Sequence, residues 1–286
     1  MGQAGSLRGG WQPPLSVARE VALHSGRNLV IIPFPDPRIF MTPEPSSDHV
    51  APPLGEAGRI TGVLLDPKKA FADIAAKPSW ILPVVLVILI SLVGVYIYST
   101  RVGWERAIRQ NIETSSRTAN MTADQREAAI QMQVKFAPLA YVFVVLGPPL
   151  VAVIVGAVIL LMCKMGGASL TFKQTFAISA WAALTTAIQS ILTIVVLFLK
   201  NPEEYNPMNP LAFNLGAFME PPPSSTRFIY SLATSFDLFT IWKVLLIAVG
   251  ISVAARKLTF SKAVILVAAP WLFWVLLSSG FAGMFS

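Results

Sequence analysis

Charge is scarce in this 286-residue chain: 13% of its residues are Asp, Glu, Lys or Arg, against roughly 25% in soluble domains. The deficit is concentrated. No charged residue occurs in 78–100, 136–163, 174–199 or 263–286, and each run reaches the ~20 residues that cross a hydrocarbon core as helix. Together they exclude an ordinary soluble fold. Histidine is nearly missing too: His24 and His49 are the only two, both ahead of the apolar part, so no embedded histidine base or zinc-protease helix is available. The apolar segments hold one Asp and no Glu, too few for a carboxylate dyad. No Gly-rich loop ending in GKS or GKT cradles a phosphate, and no glycine-flanked serine stands ready for a lysine base. The expectation is a protein with no enzymatic activity, cofactor or metal. The one cysteine, Cys163, excludes an internal disulfide and reads as a small apolar residue at a helix end. The net charge of +7 fits cytoplasmic loops facing anionic lipid rather than nucleic acid.

What is present is long apolar helix. The fold class expected is an all-α integral membrane protein with five transmembrane helices, at about 81–100, 137–163, 176–199, 236–255 and 263–285. Residues 1–55, rich in Pro, Gly, Ser and Arg, are expected to form a disordered tail. A change of composition at Met41 further suggests that 1–40 are a translated upstream extension. The membrane domain then occupies 56–286. At its start Asp66 suits an N-cap and Pro67 the first helical position. Ala70, Phe71, Ile74 and Ala75 recur at helical spacing between lysines, the pattern of an interfacial amphipathic helix. After the first span, Thr122 and Gln125 form a capping-box pair, so the loop there reads as a helical hairpin. Gly147, Pro148 and Pro149 sit inside the second span and predict a kink or break. Residues 211–219 are apolar enough to rest on the membrane surface. Lysine and arginine favour an inner N-terminus: two short loops carry Lys164 and Lys173, and Arg256, Lys257 and Lys262, whereas the long loop from 200 carries Lys200 and Arg227. The C-terminus then lies outside.

The fourth span opens as "SFDLFTIWKVLL", where Asp237 and Lys243 interrupt the apolar run. A central Lys or Asp costs about 2.5 to 3.5 kcal/mol on insertion scales. At 1.5 Å per residue Lys243 lies about 9 Å deeper than Asp237, on another helix face. Two readings stay open. In one, Lys243 snorkels outward and Asp237 bonds backbone or Ser/Thr groups on another helix. In the other, the two charges flank a buried polar site together with Gln189 of the third span.

Four fragments in order carry a resemblance: "DPKKAFADIAAKPSWILP" before the first span, "TFKQTFAISAWA" entering the third, "NPLAFNLG" after it, and "DLFTIWKVLLIAVGISV". The chain resembles the bacterial branch of the YIP family, the Ypt/Rab-interacting membrane proteins, with Asp237, Phe239, Trp242 and Gly250 on its signature and Lys243 beside them. The resemblance implies five spans, a cytoplasmic N-terminus and no enzyme. It implies a small-GTPase partner only for a eukaryotic chain, and a bacterial member points to the inner membrane. That family commonly has a proline in the middle of the third span; here the place reads "AALTTA", so the kink that the resemblance implies has no proline to carry it. The expected function is a non-enzymatic membrane scaffold, organising or trafficking-type module whose partners are the lipid bilayer, other membrane proteins or itself. The alternative is a small-solute transporter or channel using Lys243, Asp237 and Gln189.

Overall fold

The computed structural model describes residues 53–114, 118, 120–201, 205, 209–220 and 226–284. The expected upstream extension and all but the last three residues of the expected tail fall on 1–52, outside the described residues; at 53–55, Leu54 is ordered, its N–H donating to Asp73 Oδ1 (3.2 Å). Among the described residues the chain is helical: α1 (Glu56–Leu65), α2 (Pro67–Ala76), α3 (Ile81–Arg101), α4 (Trp104–Thr114), α5 (Ala123–Phe136), α6 (Leu139–Met165), α7 (Phe172–Ala182), α8 (Leu184–Leu199), α9 (Arg227–Ser235), α10 (Leu238–Ala254) and α11 (Phe260–Met284). Four stretches are long and apolar enough to cross a membrane: α3, α6, the α7–α8 pair and α11. The expected fourth span is different. Its helix α10 has 17 residues, roughly 25 Å, short of a hydrocarbon core of roughly 30 Å. A separate helix, α9, precedes it after a break at Phe236–Asp237.

Large apolar side chains on α3, α6, α8 and α11 point outward; Phe143, Ile265 and Phe273 are each at least 65% exposed. The interior is a layer in which α2, α7 and α10 meet. Phe71, Ile74, Ile178, Trp181 and Ile251 are fully buried there, joined by Ile159 and Cys163 of α6 and Ala263 and Val267 of α11. The helix α2 starts where expected, with the Asp66 carboxylate accepting the Lys69 N–H and Pro67 in the first turn. Its apolar face, however, is closed inward on α10 and α7 rather than turned to the headgroups. Part-buried hydrogen bonds hold it there. Gln174 Nε2 donates to the Ala75 carbonyl (3.1 Å) and Trp181 Nε1 to the Ser79 carbonyl (2.8 Å). Arg59, 4% exposed, donates through Nε to Asp73 Oδ2 (2.7 Å) and through Nη1 to Ser79 Oγ (2.6 Å), tying α1, α2 and the following linker together.

Lipid gives little hydrophobic reward for helix association, so close approach by small residues decides the packing. A Cβ on Gly250 would stand 2.6 Å from Ile178 Cγ2 and 3.1 Å from Phe71 Cδ1; one on Gly156 would stand 2.9 Å from the Phe176 Cα. These glycines let α10 meet α7 and α2, and let α6 meet α7.

Backbone bonding differs at the two places where the sequence raised a bend. The helix α6 runs through Gly147, Pro148 and Pro149 without interruption. The prolines remove two N–H donors, those that would have reached the carbonyls of Val144 and Val145, and the rest of a 27-residue helix holds its register. The third span does turn, at Ala183, with no proline. The Ala183 N–H is shared between the carbonyls of Ser179 and Ala180 (3.1 and 3.2 Å), and Thr186 donates back to Ala183 over three residues (2.9 Å). Hydroxyls that bond a preceding carbonyl bend helices; Thr185 Oγ1 donates to Ala182 (3.0 Å) and Ser179 Oγ to Thr175 (2.8 Å).

At the opposite end of α3 from α2, the expected helical hairpin forms. The Thr122–Gln125 capping box opens α5, and Arg109 of α4 bridges Glu105 (2.9 Å) and Glu127 (3.0 Å). Close by, Tyr205 packs with Val102 and Leu197. Burial, with Tyr98 adding to it, pushes the Tyr205 phenol up to about 12.

Candidate functional site

The break between α9 and α10 is built by Asp237. Its backbone is extended, and its Oδ1 accepts the N–H groups of Phe239 and Thr240, both at 3.0 Å. That caps the first turn of α10 and meets the positive end of its dipole with a carboxylate. Asp237 therefore bonds its own helix, whereas the first of the two readings had it bond another one. The backbone opened by the break is met by the 209–214 loop. Leu238 N–H donates to the Phe213 carbonyl (3.0 Å), and Asn214 and Asp237 form an isolated antiparallel bridge. Irregular backbone within a membrane protein needs such partners. The loop is tightened by Asn209, whose Oδ1 accepts from Asn214 Nδ2 (2.7 Å) and from the Ala212 N–H (3.2 Å). Ala212 adopts φ +54°, a left-handed conformation uncommon outside glycine.

Part of the loop expected to rest on the membrane surface is thus used as a backbone plug. Phe213, Leu215 and Phe218 remain more than half exposed along its outer edge. The rings at the break are packed: Phe213 lies edge-on to Phe239 (6.0 Å between centroids) and Phe236 edge-on to Trp271 (5.3 Å). Trp271 lies eleven residues into α11, about 17 Å from its start, so the break sits well inside the span.

Between loop, α8, α9 and α10 lies a cavity of about 230 Å³, lined by Gln189, Asn209, Pro210, Leu211, Phe213, Asn214, Ser231, Thr234, Ser235, Asp237 and Phe239. Two of the three residues expected to build a polar site, Asp237 and Gln189, meet here. Lys243 does not line the cavity. It is half-buried, close enough to Asp237 to feel its charge, and makes no hydrogen bond or ion pair among the described residues. Phe239 is buried in the cavity wall, Trp242 packs against the main core, and Gly250 is the close-approach point described above. Gly147, Pro148 and Pro149 are elsewhere, on α6. Sequence reasoning marked 209–216 as a fragment of the resemblance but not as a partner of α10. The signal for it was the spacing of Asn209 and Asn214, two side chains able to close a turn on themselves. No group of His, Cys, Asp or Glu able to hold a metal occurs among the described residues.

The family model for the Yip1 domain matches residues 61–282. The chain belongs to the Yip1 domain family. It is also similar to the membrane protein YknW of Bacillus subtilis (strain 168), at 23% identity over 197 residues, covering 68% of this chain and 78% of that protein. No solved structure matches. The Yip1 match encloses α2 through most of α11, so the cavity, the Asp237 break and the α2–α10 joint all lie within the family's region. With its apolar helices, this Yip1 domain chain is a multi-pass membrane protein.

Proposed function

We propose that this Yip1 domain protein is a non-enzymatic scaffold that organises lipid or membrane partners within a bacterial inner membrane. The observation that carries this reading is the filled centre: Phe71, Ile178, Trp181 and Ile251, all without exposure, close the space where α2, α7 and α10 meet. The outward faces of α3, α6, α8 and α11 offer broad apolar surface to lipid, to other membrane proteins or to a second copy. In this reading α9 and α10 together make a fifth crossing, supported by the way α11 packs along both. The N-terminus is cytoplasmic and the C-terminus outside, supported by the basic loops at Lys164–Lys173 and Arg256–Lys262. A small-GTPase partner is not carried over to a bacterial chain.

The test is reconstitution of the purified full chain into proteoliposomes, beside crosslinking in native membranes. A scaffold gives no solute flux and a reproducible crosslink to a defined membrane protein or to itself, and Lys243→Leu inserts and folds as before. Solute flux that disappears in Lys243→Leu would replace this reading by a transporter.

A further inference from the structure

We propose that the cavity at the α9–α10 break binds the protonated amino group of a small primary amine. The sign of the ligand comes from the lining. Among the described residues Asp237 is its one ionisable side chain, and no Lys or Arg joins it. Oδ1 of Asp237 is engaged by two backbone N–H groups, while Oδ2 makes no hydrogen bond among the described residues. The last turn of α9 supplies Thr234 and Ser235, with Ser231 one turn before, and the carbonyl end of a helix carries partial negative charge. The positive end of α10 is already met by Oδ1, which leaves Oδ2 as the charged acceptor that an incoming cation would find.

The kind of cation comes from size and walls. About 230 Å³ equals the share of roughly eight liquid waters at about 30 Å³ each, room for a short organic cation and more than a bare ion fills. An ammonium has three N–H donors. Asp237 Oδ2 and the Gln189 amide oxygen, which also lacks a partner among the described residues, are acceptors for two of them. The side-chain oxygens of Asn209 and Asn214 lie in the same lining. Phe213 and Phe239 add aromatic surface, which attracts cations through the ring quadrupole. Lys243 stays outside the lining. The amine has two sources with one chemistry: a free solute, or the headgroup of an aminolipid.

The experiment uses the full chain in nanodiscs of phosphatidylcholine, titrated calorimetrically with ethanolamine and, separately, with ethylene glycol, which has a neutral hydroxyl in place of the ammonium. Ethanolamine binds and the glycol does not. Asp237→Asn keeps an N-capping side chain and so keeps its melting temperature, but weakens ethanolamine binding about tenfold or more, the loss of a charge-assisted hydrogen bond. Gln189→Leu, which takes no part in the cap, weakens it by about threefold or more. In discs containing phosphatidylethanolamine, a several-fold loss of apparent affinity names the headgroup as occupant, and unchanged affinity names the free amine. The proposal is overturned if ethanolamine and glycol bind alike or neither binds. It is also overturned if equimolar sodium displaces the amine, or if folded Asp237→Asn binds as the unaltered chain does. Should Asp237→Asn fail to fold, Gln189→Leu and the glycol comparison decide alone.

Discussion

At the scale of single residues, the glycines divide by what surrounds them, and that gives a paired expectation. Gly250→Ala places a methyl 2.6 Å from Ile178 Cγ2, and overpacking of this kind costs about 1–3 kcal/mol. Gly147→Ala meets nothing within 4 Å, and in a helix interior Ala is favoured over Gly by roughly 1 kcal/mol. Unfolding by increasing SDS in mixed micelles should show the first variant destabilised and the second unchanged or stabilised. The reverse order would mean that the α10 crossing is looser than described. The two positions also show why identity alone misleads: both are glycines in apolar helices, and only the neighbours tell a contact from an open surface.

At the scale of elements, α6 and α7 are held at a distance set by Gly156. A Cβ there would lie 2.9 Å from the Phe176 Cα, which is backbone and does not swing aside. Gly156→Val therefore parts the two helices. Cys163, seven residues further along α6 and fully buried, reports on that parting. Maleimide labels Cys163 slowly in the unaltered chain and several-fold faster in the variant, because opening exposes a buried thiol. Equal rates would show that α6 and α7 separate elsewhere or not at all.

Much at this scale was legible in the sequence, and the parts that were not share a cause. Charge-free runs located α3, α6, α8 and α11, since length and polarity are local properties. Thr122 with Gln125 announced the start of α5, because a capping box is written within four residues. Nothing local told that α2 faces α10 rather than the headgroups, as the same apolar stripe suits either. The turn at Ala183 was hidden because hydroxyls that back-bond to carbonyls are weaker punctuation than the proline that was sought. The prolines of α6 do not end it, since one missing donor apiece leaves a long helix its other bonds. At the candidate site the polar residues Asp237 and Gln189 stood out in apolar surroundings. Their partner loop did not, because the Phe213–Leu238 bond joins residues distant in the chain.

At the scale of the whole molecule, the helix order places α1, α2, the end of α10 and the start of α11 at one end of α3. The α4–α5 hairpin lies at the other end. In a Cys163→Ala background, Lys68→Cys and Arg256→Cys should label from one side of sealed vesicles, and Gln133→Cys only from the other. All three native side chains are exposed. Labelling of Lys68→Cys and Gln133→Cys from the same side would mean that α3 does not cross.

The joint between α2 and α10 has a consequence for biosynthesis. Phe71 and the neighbourhood of Gly250 touch in the finished protein but are made far apart in time, about 10–40 s at ribosomal rates of roughly 5–20 residues per second. Throughout that interval the sticky stripe of α2 has no mate, and the nascent chain must park it on the membrane or on a chaperone. The clasp that buries it is among the last joints to close, so a ribosome halted before α10 would leave a bundle with its first latch open.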